Sequence, residues 1–254
     1  MDLELKDKFF LVTAASRGLG FGAAKALVEE GAKVTICGRT EEDLDTAQDS
    51  LGENARYVIS DISKKAEVKK LVADVKKAYG RLDGLYVNAG GPPPGTFNEI
   101  SDEEWRSSID LNLMSSVWLT REAQALLKES RHPSILYSTS ISVKQPLDNL
   151  LLSNSVRAAV IGLMRTISRE FGPTGIRVNA ICPGYIYTER VEQLIKDADD
   201  KQDAKQGIIE RIPIGRMGTP TEFGKICAFL LSPITGYIHG ALLLVDGGMY
   251  QGMM

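Results

Sequence analysis

Histidine and cysteine are scarce in this chain, with 2 and 3 residues in 254. His132 and His239 stand apart, and no Cys/His cluster has metal-ligand spacing, so no metal site is expected. Cys37, Cys182 and Cys227 are an odd, widely spaced set in apolar sequence. They read as buried thiols in a reducing compartment. Long hydrophobic runs are missing as well. No segment approaches about 18 uninterrupted apolar residues, which argues against a membrane span. The opening "MDLELKDKFF" carries charges where a signal peptide needs an apolar run, so a cytoplasmic location is expected. Charge of one sign is lacking too, since 30 basic and 33 acidic residues leave −3. That argues against nucleic acid or an anionic membrane as the main partner and leaves a small molecule. What remains is a composition 43% hydrophobic and 25% charged, ordinary for a globular protein long enough to bury a substantial core.

Short apolar runs alternate with amphipathic stretches along the whole chain. Runs at 9–15, 32–38, 55–60, 82–90, 134–140, 176–184 and 241–248 read as strands, mostly β-branched and ending in small residues. Helical patterns cover 19–30, 41–51, 64–79, 101–130, 151–172 and 219–231. Ser101 with Glu104 three residues later has the form of a capping box opening the fourth helix. Such alternation implies right-handed crossovers and an α/β fold with a doubly wound, seven-stranded parallel sheet. No linker or repeat interrupts it, so 1–254 is expected to be one Rossmann-like domain. The polar run "KDADDKQDAKQ" (196–206) suits a solvated surface, or part of a lid at about 187–216.

In such a sheet, ligands bind beyond the carboxyl ends of the strands. Gly18 and Gly20 follow the first strand and open a helix, where a backbone can approach a pyrophosphate. An acidic residue after the second strand would bind a free ribose 2′-hydroxyl. This chain has Cys37, Gly38, Arg39 and Thr40 there, and Arg39 with Arg17 suits a 2′-phosphate. NADP(H) is therefore expected over NAD(H).

These motifs resemble the short-chain dehydrogenases/reductases over nearly the whole chain. "TAASRGLG" is similar to the family's glycine motif through Thr13, Ser16, Arg17, Gly18, Leu19 and Gly20, with Ala14 in place of its first glycine. "SDIS" supplies Asp61 and Ile62 for the adenine end, and "VNAG" supplies Asn88, Ala89 and Gly90. Asn112 in "LNLMSS" matches the catalytic asparagine. "RVNAICPGYIYT" carries Pro183, Gly184, Ile186 and Thr188 toward the nicotinamide. "GALLLVDGG" resembles the closing strand, which in the family helps form a homotetramer.

The resemblance implies a serine that steadies the substrate oxygen, a tyrosine that transfers a proton, and a lysine that lowers its pKa and binds ribose. Counting back from "RVNAICPG" and "AAVIGL" puts Ser140 at the serine position, Ser153 at the tyrosine and Arg157 at the lysine. None of the eight tyrosines is followed four residues later by lysine, so the usual pair is absent rather than displaced. A phenol has a reference pKa of about 10, while a serine hydroxyl is a far weaker acid and needs an adjacent base. Arginine stays protonated, yet it donates several hydrogen bonds and holds charge near a developing alkoxide. Losing a positioned acid costs about 100- to 10,000-fold in rate.

Ser140, Ser142, Lys144, Ser153, Asn154 and Arg157 keep the stretch polar, as in a modified site rather than a decayed one. A branch of the family is similar in "GGPPPG", "SVKQP" and "LSN…R". Replacements for the tyrosine are Tyr185, Lys144 or a water held by Ser140 and Ser153; Tyr185 also suits packing under the lid, and Lys144 a solvated surface. The three prolines of 92–94 suit a cleft wall or a rigid connector, and Trp105 and Trp118 suit a core or interface. Three functions stay open: an NADP(H)-dependent oxidoreductase with a changed proton donor, a non-catalytic dinucleotide-binding sensor or scaffold, and a lyase or dehalogenase.

Overall fold

The structure is a computed structural model that describes residues 1–196 and 201–253. Seven parallel strands form one sheet: β1 (Phe9–Val12), β2 (Lys33–Gly38), β3 (Ala55–Ile59), β4 (Gly84–Val87), β5 (Ser134–Ser138), β6 (Arg177–Pro183) and β7 (Leu242–Val245). Their spatial order is β3-β2-β1-β4-β5-β6-β7. The seven strands fall where the apolar runs do. Several end earlier than the runs, because residues such as Thr13–Ala15 and Asn88–Gly90 leave the ladder to line loops.

Side chains alternate across the sheet, so neighbours in one strand serve different cores. Phe10 and Val12 pack toward α1 (Gly18–Glu29), α2 (Glu41–Leu51) and α9 (Pro220–Leu231). Leu11 packs toward α3 (Lys65–Tyr79), α5 (Ser115–Lys128) and α6 (Leu151–Phe171). Each fully buried aliphatic side chain contributes about 1.5–3 kcal/mol, and both faces are covered. The chain steps from β1 outward to β3, then returns to the other side of β1 to lay down β4. Loops after β1 and β4 therefore diverge and leave a crevice between them.

The helical pattern over 101–130 is not one helix. Ser101 caps α4 (Asp102–Ser108): its Oγ accepts from Glu104 N at 3.3 Å while the Glu104 carboxylate accepts from Ser101 N at 2.8 Å. A π-helical segment, Ile109–Met114, then separates α4 from α5. Its extra residue per turn rotates the face presented by the following helix, which periodicity alone does not reveal. Trp105 and Trp118 are half-buried, and Trp118 packs on the core of the α3–α5–α6 face. After β6, α7 (Glu189–Lys196) and α8 (Lys201–Glu210) cover the 187–216 segment, and residues 197–200 of the polar run lie outside the described residues. Among the described residues, no helix is long and apolar enough to cross a membrane.

Two local features invite measurement. Ala14, where the family has glycine, sits at φ +48°, a left-handed conformation that costs an L residue about 1–2 kcal/mol. Ala14→Gly is expected to raise stability by about 0.5–1 kcal/mol in urea unfolding, the relief exceeding the entropy that glycine adds to the unfolded chain. Glu222 in the first turn of α9 is pushed down to about 2 by the Arg216 guanidinium, then by the Thr219 N–H and hydroxyl. Its contribution is thus complete above its ordinary 4.5 and lost as pH falls toward about 2. The melting-temperature gap between wild type and Glu222→Gln should be present at about pH 6 and close on acidification through that window.

Candidate active site

A cleft of about 410 Å3 opens beyond the carboxyl ends of the strands. Its floor is set by Thr13 and Asn88. Thr13 Oγ1 donates to Asn88 O at 2.6 Å and accepts from Asn88 N at 2.9 Å, while Asn88 Nδ2 donates to Thr13 O at 3.2 Å and Ala14 O at 3.1 Å. Asn88 lines the cleft, whereas Thr13 is wholly buried behind it. Gly20 is also out of contact with the cleft. A Cβ there would collide with the Ala14 carbonyl and lie 2.9 Å from Asn88 Nδ2, so the missing side chain lets α1 seat against both loops.

Ser16, Arg17, Gly18 and Leu19 form the mouth of α1. The first turn has neither a side-chain cap nor an acidic residue, so its N–H groups and the positive end of the helix face the cleft. Gly18 adopts φ +62°, with the Thr188 methyl 3.7 Å from where a Cβ would be. Arg17 and Arg39 are both exposed here. Arg17 Nη1 reaches Glu189 at 3.1 Å, a solvent-screened pair of small worth.

Asp61 and Ile62 line the far end with Asp43 and Ser60. Burial raises the Asp61 carboxyl, but the Ser63 hydroxyl and N–H and the Lys64 ammonium outweigh it and hold it below the usual carboxylate range. The Ser60 hydroxyl is buried without a partner among the described residues, as expected where a ligand completes the wall.

At the opposite, inner end, Ser140, Ser153 and Arg157 all line the cleft. Ser140 Oγ accepts from Ser142 N at 3.0 Å, and Ser142 Oγ lies 3.1 Å from Ser153 Oγ. Arg157, on the same face of α6 as Ser153, is 8% exposed. Its Nη1 donates to the carbonyls of Ser138 and Thr139 at 3.2 and 3.3 Å. Burial, then the positive charge of Arg190, push the Arg157 guanidinium down to about 10, which leaves it protonated at neutral pH. Ser140, Ser153, Arg157, Ala89, Gly90, Pro183, Gly184, Tyr185 and Thr188 all line the cleft. The Tyr185 ring also rests on the apolar cluster of Ile195, Ile212 and Met217, so it serves both of its expected places.

Besides Thr13 and Gly20, two more expected site residues do not line the cleft. Ile186, beyond the end of β6, is 5% exposed and buried in the α1–α9 core, while Pro183, Gly184 and Tyr185 before it line the cleft. Asn112 sits in the π-helical turn one residue beyond cleft-lining Leu111. Its Nδ2 donates to Ser108 O at 3.3 Å, and its Oδ1 is buried with no partner among the described residues. Lys144 does not line the cleft; its ammonium lies 5.8 Å from the Tyr250 ring centre. Of the proline loop, Gly90, Gly91 and Pro92 form a wall and the next two prolines are exposed.

Sequence reasoning missed Arg190. Its Nη1 and Nη2 donate to the carbonyls of Gly91 and Pro92, both at 2.6 Å, and all three residues line the cleft. A signal existed: a cation in the first turn of α7 opposes the helix macrodipole, so it needs another reason to be there.

Comparison with known proteins agrees with this architecture. A family model described as enoyl-(acyl carrier protein) reductase matches residues 13–250. The chain is 32% identical over 251 residues to the 3-oxoacyl-(acyl-carrier-protein) reductase FabG of Escherichia coli K12, covering 98% of this chain and 100% of that protein. It is 32% identical over 248 residues to a tropinone reductase homologue of Arabidopsis thaliana, covering 96% and 92%. L-sorbose reductase from Gluconobacter frateurii, solved with NADPH and L-sorbose, superposes with a TM-score of 0.94 at 30% identity over 100% of both chains. An NADPH-bound short-chain oxidoreductase from Pseudomonas aeruginosa PAO1, described as containing an atypical catalytic centre, superposes with a TM-score of 0.90 at 28% identity over 97% and 99%. With sheet order, motif order and full-length matches in agreement, the chain belongs to the short-chain dehydrogenase/reductase family.

Proposed function

We propose that the protein is an NADP(H)-dependent oxidoreductase for a carbonyl compound or an activated C=C bond, with Ser153 and Arg157 replacing the family's tyrosine and lysine. The observation that carries this reading is the inner end of the cleft, where Ser140, Ser153 and buried Arg157 line the wall and the Ser153 hydroxyl pairs with that of Ser142. The NADPH-bound neighbours and the arginines at the cofactor mouth support the choice of nucleotide. Asp43 and Asp61 also line that end, beside Arg17 and Arg39.

When bound, NADPH supplies the hydride. The first turn of α1 holds its diphosphate through the N–H groups around Gly18 and Leu19, and Arg17 with Arg39 takes the 2′-phosphate. Asp61 and Ile62 border the adenine, Asn88–Gly90 and Arg157 the nicotinamide ribose, and Pro183, Gly184 and Thr188 the nicotinamide. Ser140 and Ser153 donate to the substrate oxygen, and Arg157 lowers the energy of the negative charge that grows on it. The proton reaches that oxygen from water through the Ser142–Ser153 pair. The hydroxide left behind is stabilised by the same guanidinium. Asn112 stands behind the wall as a positioning residue, its free carboxamide oxygen suited to a bound water. A single domain with 187–216 as its lid, assembled as a homotetramer, belongs to this reading; the edge strand β7 leaves Leu243 exposed for such a contact.

A sensor function is favoured by one observation: the tyrosine position holds a hydroxyl far too weak to act as an acid unaided. Fluorescence titration with NADPH and NADH, followed by a panel of ketones, aldehydes and enones, separates the two. NADPH is expected to bind about tenfold more tightly than NADH and to be oxidised at a rate about 100- to 10,000-fold below that of a tyrosine enzyme. Binding without turnover selects the sensor, and binding of neither nucleotide removes both readings. The double substitution Ser153→Tyr with Arg157→Lys should raise kcat for a carbonyl substrate by about 100-fold or more. A gain from no wild-type activity at all would again favour the sensor.

A further inference from the structure

The inner end of the cleft is cationic in a way the proton-transfer chemistry does not need. Arg157 and Arg190 both line it, and neither forms an ion pair among the described residues. The cleft's carboxylates are elsewhere. Asp43 and Asp61 stand at the far end, on the other side of β1, and Glu189 is engaged by Arg17. Arg157 is buried and Arg190 is exposed at the cleft, and the repulsion between two such like charges is relieved when an anion enters between them.

Arg190 is held for such a role. Its guanidinium lies flat against Gly91, where a Cβ would run into Cζ and both terminal nitrogens, so the absence of a side chain at 91 makes its seat. The carbonyls of Gly91 and Pro92 each take one N–H. A guanidinium has five, so three remain for a ligand, already oriented by the two bonds that fix the plane. Arg157 likewise uses Nη1 alone among the hydrogen bonds the structure gives it. Beside Ser140, Ser153 and Tyr185, an apolar stretch of wall comes from Ile141, Leu147, Leu150 and Val191. An anion beside an apolar body matches that pattern, whereas a polyhydroxylated neutral substrate would leave aliphatic walls against its hydroxyls.

We propose that Arg190 anchors a carboxylate of the substrate, so that this cleft takes oxo acids with an apolar tail rather than neutral carbonyl compounds. The substrate class rests on the oxidoreductase reading above, but the anchor itself is a statement about binding. The same cation chemistry would also suit the diphosphate of the nucleotide, and the experiment separates the two.

Pairs of 2-oxo and 3-oxo acids with four- to six-carbon apolar tails, each with its methyl ester, are titrated by calorimetry into wild type, Arg190→Met and Arg190→Lys, with and without NADPH. Thermal melts check that each variant is folded. Wild type should bind at least one acid about 10- to 100-fold more tightly than its ester. Arg190→Met should bring that ratio close to one, and Arg190→Lys should restore part of it. Three outcomes overturn the proposal: no acid preferred over its ester, a preference that survives Arg190→Met, or a loss confined to NADPH affinity, which would make the diphosphate the anion. Should an Arg190-dependent preference occur with no oxidation of NADPH by any bound acid, the anchor stands and the oxidoreductase reading fails.

Discussion

The hydrogen-bonded junction of Thr13 with Asn88 determines where everything else in the site can be. It ties the loop after β1 to the loop after β4 at the one place where the sheet order reverses. Four bonds through two short side chains hold the floor of the cleft against opening, and all lie in buried or half-buried surroundings where an unmade bond costs about 1–3 kcal/mol. Gly20 then brings α1 down onto this floor, and the uncapped turn of the helix is left facing the ligand space. Behind it, α1 and α9 meet glycine to backbone: a Cβ on Gly224 would strike the Gly22 carbonyl. The end of the cleft at α1 thus depends on contacts several layers deep.

Burying a guanidinium is costly, and the structure shows how Arg157 is tolerated. Two strand-end carbonyls solvate it, and its delocalised charge is more weakly hydrated than an ammonium. A lysine so buried shifts toward neutrality, whereas Arg157 stays charged even when pushed down to about 10. The positive charge at position 157 is therefore permanent, and no phenol stands at position 153 for it to tune.

How much was legible depended on whether a feature is local. The capping box of Ser101 and Glu104 is made by four consecutive residues, and it appears as read. Alternation and handedness rules imply a doubly wound parallel sheet, and the sheet has the expected seven parallel strands. The long helix over 101–130 broke where Ile109–Met114 widens into a π turn, a change of one residue per turn that apolar spacing does not resolve. Lys144 seemed close to the site along the chain, yet the short helix after Ser140 carries it toward Tyr250. Ile186 shares a motif with three cleft residues but points the other way.

By itself the sequence determined the fold class, the crevice in which a ligand can sit, and the absence of the tyrosine and lysine, since each is written in local pattern or residue identity. Only the tertiary structure showed which groups surround Ser153 and Arg157. The Ser142–Ser153 pair joins two elements eleven residues apart, and Arg190 reaches loop carbonyls about a hundred residues away. Such contacts depend on side-chain direction and on the space a glycine leaves, neither of which residue spacing encodes.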